Sequence, residues 1–166
     1  MATTAFKSTP VTTVGELPVV GEPAPAFELT GQDLSPVTLS DHAGSTVVLN
    51  IFPSLDTGVC AASVRTFNQR ASEVEDAVVL AVSADLPFAA GRFCSAEGID
   101  RVVTGSTFRS DFGRDYGLTM QDGPLAGLLA RAVVVVGPDG VVTHTELVPD
   151  ITQEPDYDAA LAAARG

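Results

Sequence analysis

Three short runs of apolar residues punctuate the chain: Thr46 to Phe52, Ala77 to Val82 and Ala132 to Val136. Each is rich in valine, lacks polar alternation and is bounded by turn or cap residues, the pattern of strands buried on both faces. Such strands belong in the middle of a sheet covered by helices. Between the first two runs, Ala61, Val64, Phe67, Asn68 and Ala71 recur at near-helical spacing, and the helix begins near Thr57 to Cys60. Strand, helix and strand then make a parallel βαβ unit with a right-handed crossover.

Outside this centre the signals are shorter. Residues 1–45 read as a β-rich lead-in: Val11 to Val14 and Pro18 to Gly21 predict a hairpin, and Phe27 to Thr30 alternates like a half-buried strand. After the second core strand, Asp85 is positioned to cap a helix with Pro87 in its first turn and Gly98 as its stop. Cys94 falls on that helix's last turns. The turn Gly137-Pro138-Asp139-Gly140 predicts an antiparallel hairpin of Ala132–Val136 with Val141–Val148, and a helix from Pro155 to Ala164 closes the chain. The fold class is α/β. The order βαβ, helix, ββ, helix is the thioredoxin-like arrangement: a central mixed sheet flanked by helices, here with an N-terminal hairpin extension.

Composition narrows the picture. A chain of 166 residues with this apolar content fits one domain, 1–166, that buries its own core without staples or metal. Its net charge of −12 repels phosphate backbones and anionic lipid surfaces, so neither nucleic acid nor membrane is an expected partner. The first residues lack the apolar core of a signal peptide and no apolar run approaches a membrane span, which predicts a cytoplasmic location. There, two cysteines are either buried small hydrophobes or working thiols. His42 and His144 have no companion at ligand spacing, so no metal or other cofactor is expected.

The densest chemistry lies in Pro53-Ser54-Leu55-Asp56-Thr57-Gly58-Val59-Cys60, where a buried strand ends and a helix begins. Strand ends of open α/β sheets hold ligands, and helix N-termini offer free N–H groups and a positive dipole end. A thiol placed there is biased towards thiolate. An ordinary cysteine is about 3% ionised at pH 7, so full ionisation gains roughly 30-fold, part of it lost because a less basic thiolate attacks more weakly. Enzymic rates therefore need more, on the order of 6 kcal/mol from groups that hold the substrate and stabilise the departing atom. Thr57 can supply a hydroxyl and Val59 and Cys60 their amides. Arg131, a charge opening an apolar strand, is the natural third donor.

The stretch from Val48 to Arg65 resembles the signature of the bacterial thiol peroxidases, atypical 2-Cys members of the peroxiredoxins. Similar segments continue through Ser83 to Phe88, Arg92-Phe93-Cys94, Asp122 to Leu125 and Leu129 to Val135. The resemblance implies a thioredoxin-like fold and reduction of hydrogen peroxide and alkyl hydroperoxides, with thioredoxin as reductant. A homodimer is the expected assembly. It also implies a Pro-x-x-x-Thr-x-x-Cys site of Pro53, Thr57 and Cys60, with Arg131 as its guanidinium and Cys94 as the resolving cysteine. Apolar residues such as Leu55, Phe88, Leu125 and Leu129 would line a mouth favouring alkyl hydroperoxides.

Each of these residues also has a plainer reading. Position alone leaves Cys60 divided between inert and catalytic, and Cys94, beside Phe93, fits a core position. Arg131 could pair with a carboxylate. Asp56 fits a cap or surface role, since an anion there would oppose a thiolate. Phe88, Phe93 and Phe112 read as core or pocket wall. Two other functions compete: a protein thiol-disulfide oxidoreductase, which normally has cysteines two residues apart rather than the 34 positions here, and a non-catalytic binding domain on the same fold.

Overall fold

The computed structural model describes the whole chain, residues 1–166. It opens with a hairpin of β1 (Thr3–Phe6) and β2 (Thr9–Thr12), followed by an antiparallel pair, β3 (Glu28–Thr30) and β4 (Pro36–Thr38). Then come β5 (Thr46–Ile51), α1 (Gly58–Arg70), β6 (Ala77–Ser83), α2 (Pro87–Glu97) and β7 (Val102–Ser106). A four-residue α3 (Phe112–Asp115), the hairpin β8 (Ala132–Val136) and β9 (Val142–Leu147), and α4 (Tyr157–Arg165) complete the chain. One seven-stranded mixed sheet runs in the order β4-β3-β7-β6-β5-β8-β9.

The three apolar runs are its adjacent central strands, β6, β5 and β8. Period-two geometry sends their residues alternately to two cores. Val47, Leu49, Ile51, Leu80, Val82 and Val134 enter one, while Val48, Phe52, Val79, Ala81, Val133 and Val135 enter the other. At about 1.5–3 kcal/mol per fully buried large aliphatic side chain, these strands carry much of the driving force for folding. The two faces are covered differently. Val64, Phe67, Ala90, Ala160 and Leu161 bring α1, α2 and α4 onto the second core. The first core is closed chiefly by irregular chain and the N-terminal hairpin, through Val11, Phe27, Phe112, Tyr116, Leu118 and Met120.

Several local expectations need correction. The first hairpin is Thr3–Thr12, not Val11–Val14 against Pro18–Gly21; its turn is Lys7-Ser8, both with positive φ (50° and 69°). Neither residue is the glycine or asparagine that normally marks such a turn. Thr13 instead bridges to Met120. Asp85 does not cap α2: Leu86 holds that position, with no side-chain cap. Gly98 does stop the helix, left-handed at φ 66°, with its amide bonded to Cys94 O.

Register brings distant residues together. β5 and β8 pair antiparallel with Ile51 opposite Ala132, so Arg131, just before β8, arrives beside Phe52 and Pro53, just after β5. The helix that follows Pro53 therefore starts next to that guanidinium.

Candidate active site

Thr57 caps α1. Its extended backbone (φ −97°, ψ 145°) frees Oγ1 to accept the Cys60 amide at 3.3 Å, and the hydroxyl donates to Ser54 O at 3.3 Å. The Cys60 amide is thus engaged rather than free, whereas the amides of Gly58 and Val59 have no backbone acceptor. Behind the first turn, Asn50 donates to Ser63 Oγ at 3.1 Å, and Ser63 Oγ donates to Cys60 O at 2.7 Å. These bonds fix the cysteine's backbone against β5.

The Cys60 side chain is fully buried, and Arg131 Nη2 donates to its Sγ at 3.0 Å. Arg131 is itself 1% exposed. Its Nε donates to Ile151 O at 2.9 Å, its Nη1 has no partner, and no carboxylate lies within 4.0 Å of it. A guanidinium so deeply buried costs several kcal/mol unless an anion compensates it. The sulfur of Cys60 is the only candidate in contact. Pro53, Thr57 and Arg131 share a pocket of about 200 Å³ with Gly58, Val59 and Leu125, and its rim is Phe6, Lys7, Ile151 and Thr152.

Relatives place this arrangement. The redoxin family matches residues 19–161. The chain belongs to the redoxin family. It is 60% identical over 163 residues to proteins named thiol peroxidase from Mycobacterium tuberculosis and Mycobacterium bovis, covering 98% of each chain. A thiol peroxidase from Corynebacterium glutamicum is 55% identical, with 98% of this chain and 99% of that one covered. Among solved structures, a peroxiredoxin-like protein from Aquifex aeolicus superposes with a TM-score of 0.92 at 38% identity, covering 99% of this chain and 96% of that one. The thiol peroxidase of Chromobacterium violaceum, 19% identical, shares the fold with a TM-score of 0.89 over 96% of this chain and 93% of its own. The fold of this redoxin is thioredoxin-like.

Of the residues singled out in the sequence, Pro53, Thr57, Cys60 and Arg131 come together. Cys94 does not join them. It lies buried on the last turns of α2 as a free thiol, and Cys60 is likewise free. Burial pushes the Cys94 thiol up, partly offset by a hydrogen bond from Gln32. Of the expected pocket wall only Leu125 lines the pocket; Leu55 and Leu129 are core residues, and Phe88 is 70% exposed on α2. Phe112 is buried in the first core, and Phe93 packs partly buried against the second. Asp56 is an exposed surface residue, 3.8 Å from Arg92.

The redoxin site also contains partners that sequence pattern missed. The Ile151 carbonyl orients Arg131, and Phe6 and Lys7 of the hairpin frame the pocket. Asp85 accepts bonds from Ser83 Oγ (2.7 Å), Ser54 Oγ (2.8 Å) and the Leu55 amide (2.7 Å). The Ser83-Ala84-Asp85 sequence flanks Pro87 like a cap, and that local signal concealed a bond to a loop 31 residues upstream.

Proposed function

We propose that this redoxin reduces hydroperoxides through the Cys60 thiolate and regenerates itself through a Cys60–Cys94 disulfide. The chain is a thiol-dependent peroxidase, a class carried by its full-length likeness to thiol peroxidases. The observation that supports the site assignment is Arg131: a buried guanidinium with no carboxylate, donating to Sγ at 3.0 Å.

The sulfur of Cys60 attacks the terminal oxygen of the peroxide, the O–O bond breaks, and the other oxygen leaves as water or alcohol after taking a proton. Cys60 becomes a sulfenic acid, oxidised by two electrons. Arg131 Nη1 and the amides of Gly58 and Val59 are the donors available to hold the peroxide and stabilise the leaving oxygen, and the Thr57 hydroxyl joins them by turning its proton away from Ser54 O. Cys94 then attacks the sulfenic sulfur, a disulfide forms and water leaves. A dithiol reductant of the thioredoxin type completes the cycle by exchange.

In the folded protein Cys60 opens α1 and Cys94 ends α2, and a disulfide needs Cα atoms within about 7 Å. Capture therefore involves local unwinding of the first turn of α1 and the segment from Arg92 to Gly98. A cytoplasmic location belongs to this reading, because an enzyme recycled by thiols works in a reducing compartment. So does a homodimer: Val14 and Phe108 border one cleft with Ala84, and Leu86 and Phe88 stand exposed just beyond it.

Disulfide exchange with proteins is less well supported, since Cys60 is fully buried and Cys94 is 34 positions away. The apolar residues Phe6, Val59, Leu125 and Ile151 around the pocket favour organic hydroperoxides over hydrogen peroxide. Coupled assay with thioredoxin and its reductase tests the proposal: turnover of cumene hydroperoxide with higher kcat/KM than hydrogen peroxide is expected. Absence of peroxide consumption would refute the reaction, and preference for hydrogen peroxide would refute the specificity.

A further inference from the structure

We propose that Asp85 is a positioning residue that joins the Cys60 loop to the start of the Cys94 helix, and so sets the balance between peroxide attack and disulfide capture. The inference rests on the Cys60–Cys94 relay proposed above. Asp85 is half-buried and has no cation within 4.0 Å; its carboxylate is occupied by hydroxyl and amide donors alone. Two of these, Ser54 Oγ and Leu55 N, belong to the loop that leads to Cys60.

From Ser54 the connection continues inward. Ser54 O accepts both the Thr57 amide (3.2 Å) and the Thr57 hydroxyl (3.3 Å), Ser54 Oγ accepts the Asp56 amide (3.1 Å), and Thr57 Oγ1 caps the Cys60 amide. Asp85 thus reaches the reacting residue through two others. On its other side, Leu86 and Pro87 follow directly and begin α2, which carries Cys94. The seam has two further polar ties, the Asp56–Arg92 pair at 3.8 Å and the Arg65–Glu97 pair at 3.1 Å between α1 and α2, and exposed ion pairs of that kind contribute little. The carboxylate is consequently the part-buried polar fastening of the Cys60 loop to the start of α2, segments that must move apart when Cys94 attacks the Cys60 sulfenic sulfur and water leaves.

Holding the seam shut serves the first step and impedes the second. Asp85→Asn keeps the shape but turns one acceptor oxygen into a donor facing another donor. Rapid quenching with an alkylating agent and intact mass, needed because the chain has no tryptophan, follows both steps after one equivalent of peroxide. Cys60 oxidation should slow about tenfold and disulfide formation should quicken by a similar factor, the scale expected for losing one charge-assisted hydrogen bond. Sulfinic acid per turnover should fall. Ser54→Ala removes one of the same bonds from the other side and should shift both phases in the same directions by less. Should Asp85→Asn fail to fold, Ser54→Ala carries the test alone. Both phases slowed together, or neither changed, would overturn the role of Asp85. A wild-type protein that never forms the disulfide would instead overturn the relay on which it rests.

Discussion

Cys60 and Cys94 are both buried free thiols on helices, yet their surroundings oppose each other. Cys60 sits in the first turn of α1, where the dipole end is positive, and receives a hydrogen bond from Arg131 at 3.0 Å. Cys94 sits towards the last turn of α2, where the dipole end is negative; its carbonyl receives the amides of Gly98 and Ile99, and burial raises its thiol. A positive environment favours the charged sulfur and a negative one disfavours it. The same residue type is thereby prepared for two tasks, attack on peroxide at Cys60 and later capture of the oxidised product at Cys94.

The strongest way to break this comparison is to remove each sulfur. Cys60→Ser should abolish peroxide reduction. Cys94→Ser should still consume one equivalent per chain to leave a sulfenic acid on Cys60 detectable by mass, and then turn over no further, taking a second equivalent only where that acid is overoxidised to sulfinic acid. Arg131→Lys comes next, with an expected loss of about 10²-fold in kcat/KM, comparable to removal of a single stabilising donor in other sites. A point charge cannot keep one nitrogen on Ile151 O, one on Cys60 Sγ and a third free.

Thr57→Val sharpens the comparison with a smaller effect. The cap lost from the Cys60 amide should cost about 1 kcal/mol of stability in denaturant titration, together with a drop in rate, while Thr57→Ser should retain most of both. Smallest is the pH response of the second thiol. Because the Cys94 thiol is raised, its thiolate grows only as pH climbs above the ordinary cysteine range. Alkylation of Cys94 in Cys60→Ser, followed by mass against pH, should have a midpoint above that of a free cysteine; an equal or lower midpoint contradicts the assignment.

Much of the fold was legible because its central strands are buried on both faces and their valine runs admit little else. Arg131 was legible for a related reason: a charge adjoining the Ala132–Val136 run has no packing rationale. What escaped was non-local. The Thr3–Thr12 hairpin turns on Lys7-Ser8, residues that seldom take positive φ, and holds because Ile151 and Asp150 receive it: the Ile151 amide donates to Ala5 O and Asp150 accepts the Ser8 amide. β7 mixes Val102 and Val103 with Thr104, Gly105 and Ser106, a pattern too short and too polar to announce a strand. Gly105 is required there by packing, since a Cβ would lie 2.6 Å from Leu29. Phe88 looked like core and is exposed because α2 turns its other face, Ala90 and Cys94, inward. Asp85 had a credible local role as a cap, and only the tertiary fold shows that its partners lie on the Cys60 loop.

The central claim is that attack and resolution belong to two cysteines of one chain. Protein treated with one equivalent of peroxide, digested without reduction and analysed by mass spectrometry, should yield a Cys60–Cys94 linked peptide arising within single chains, at unchanged intact mass apart from the loss of two hydrogens. A linkage between chains, or a persistent sulfenic acid at Cys60 with Cys94 still free, would contradict it.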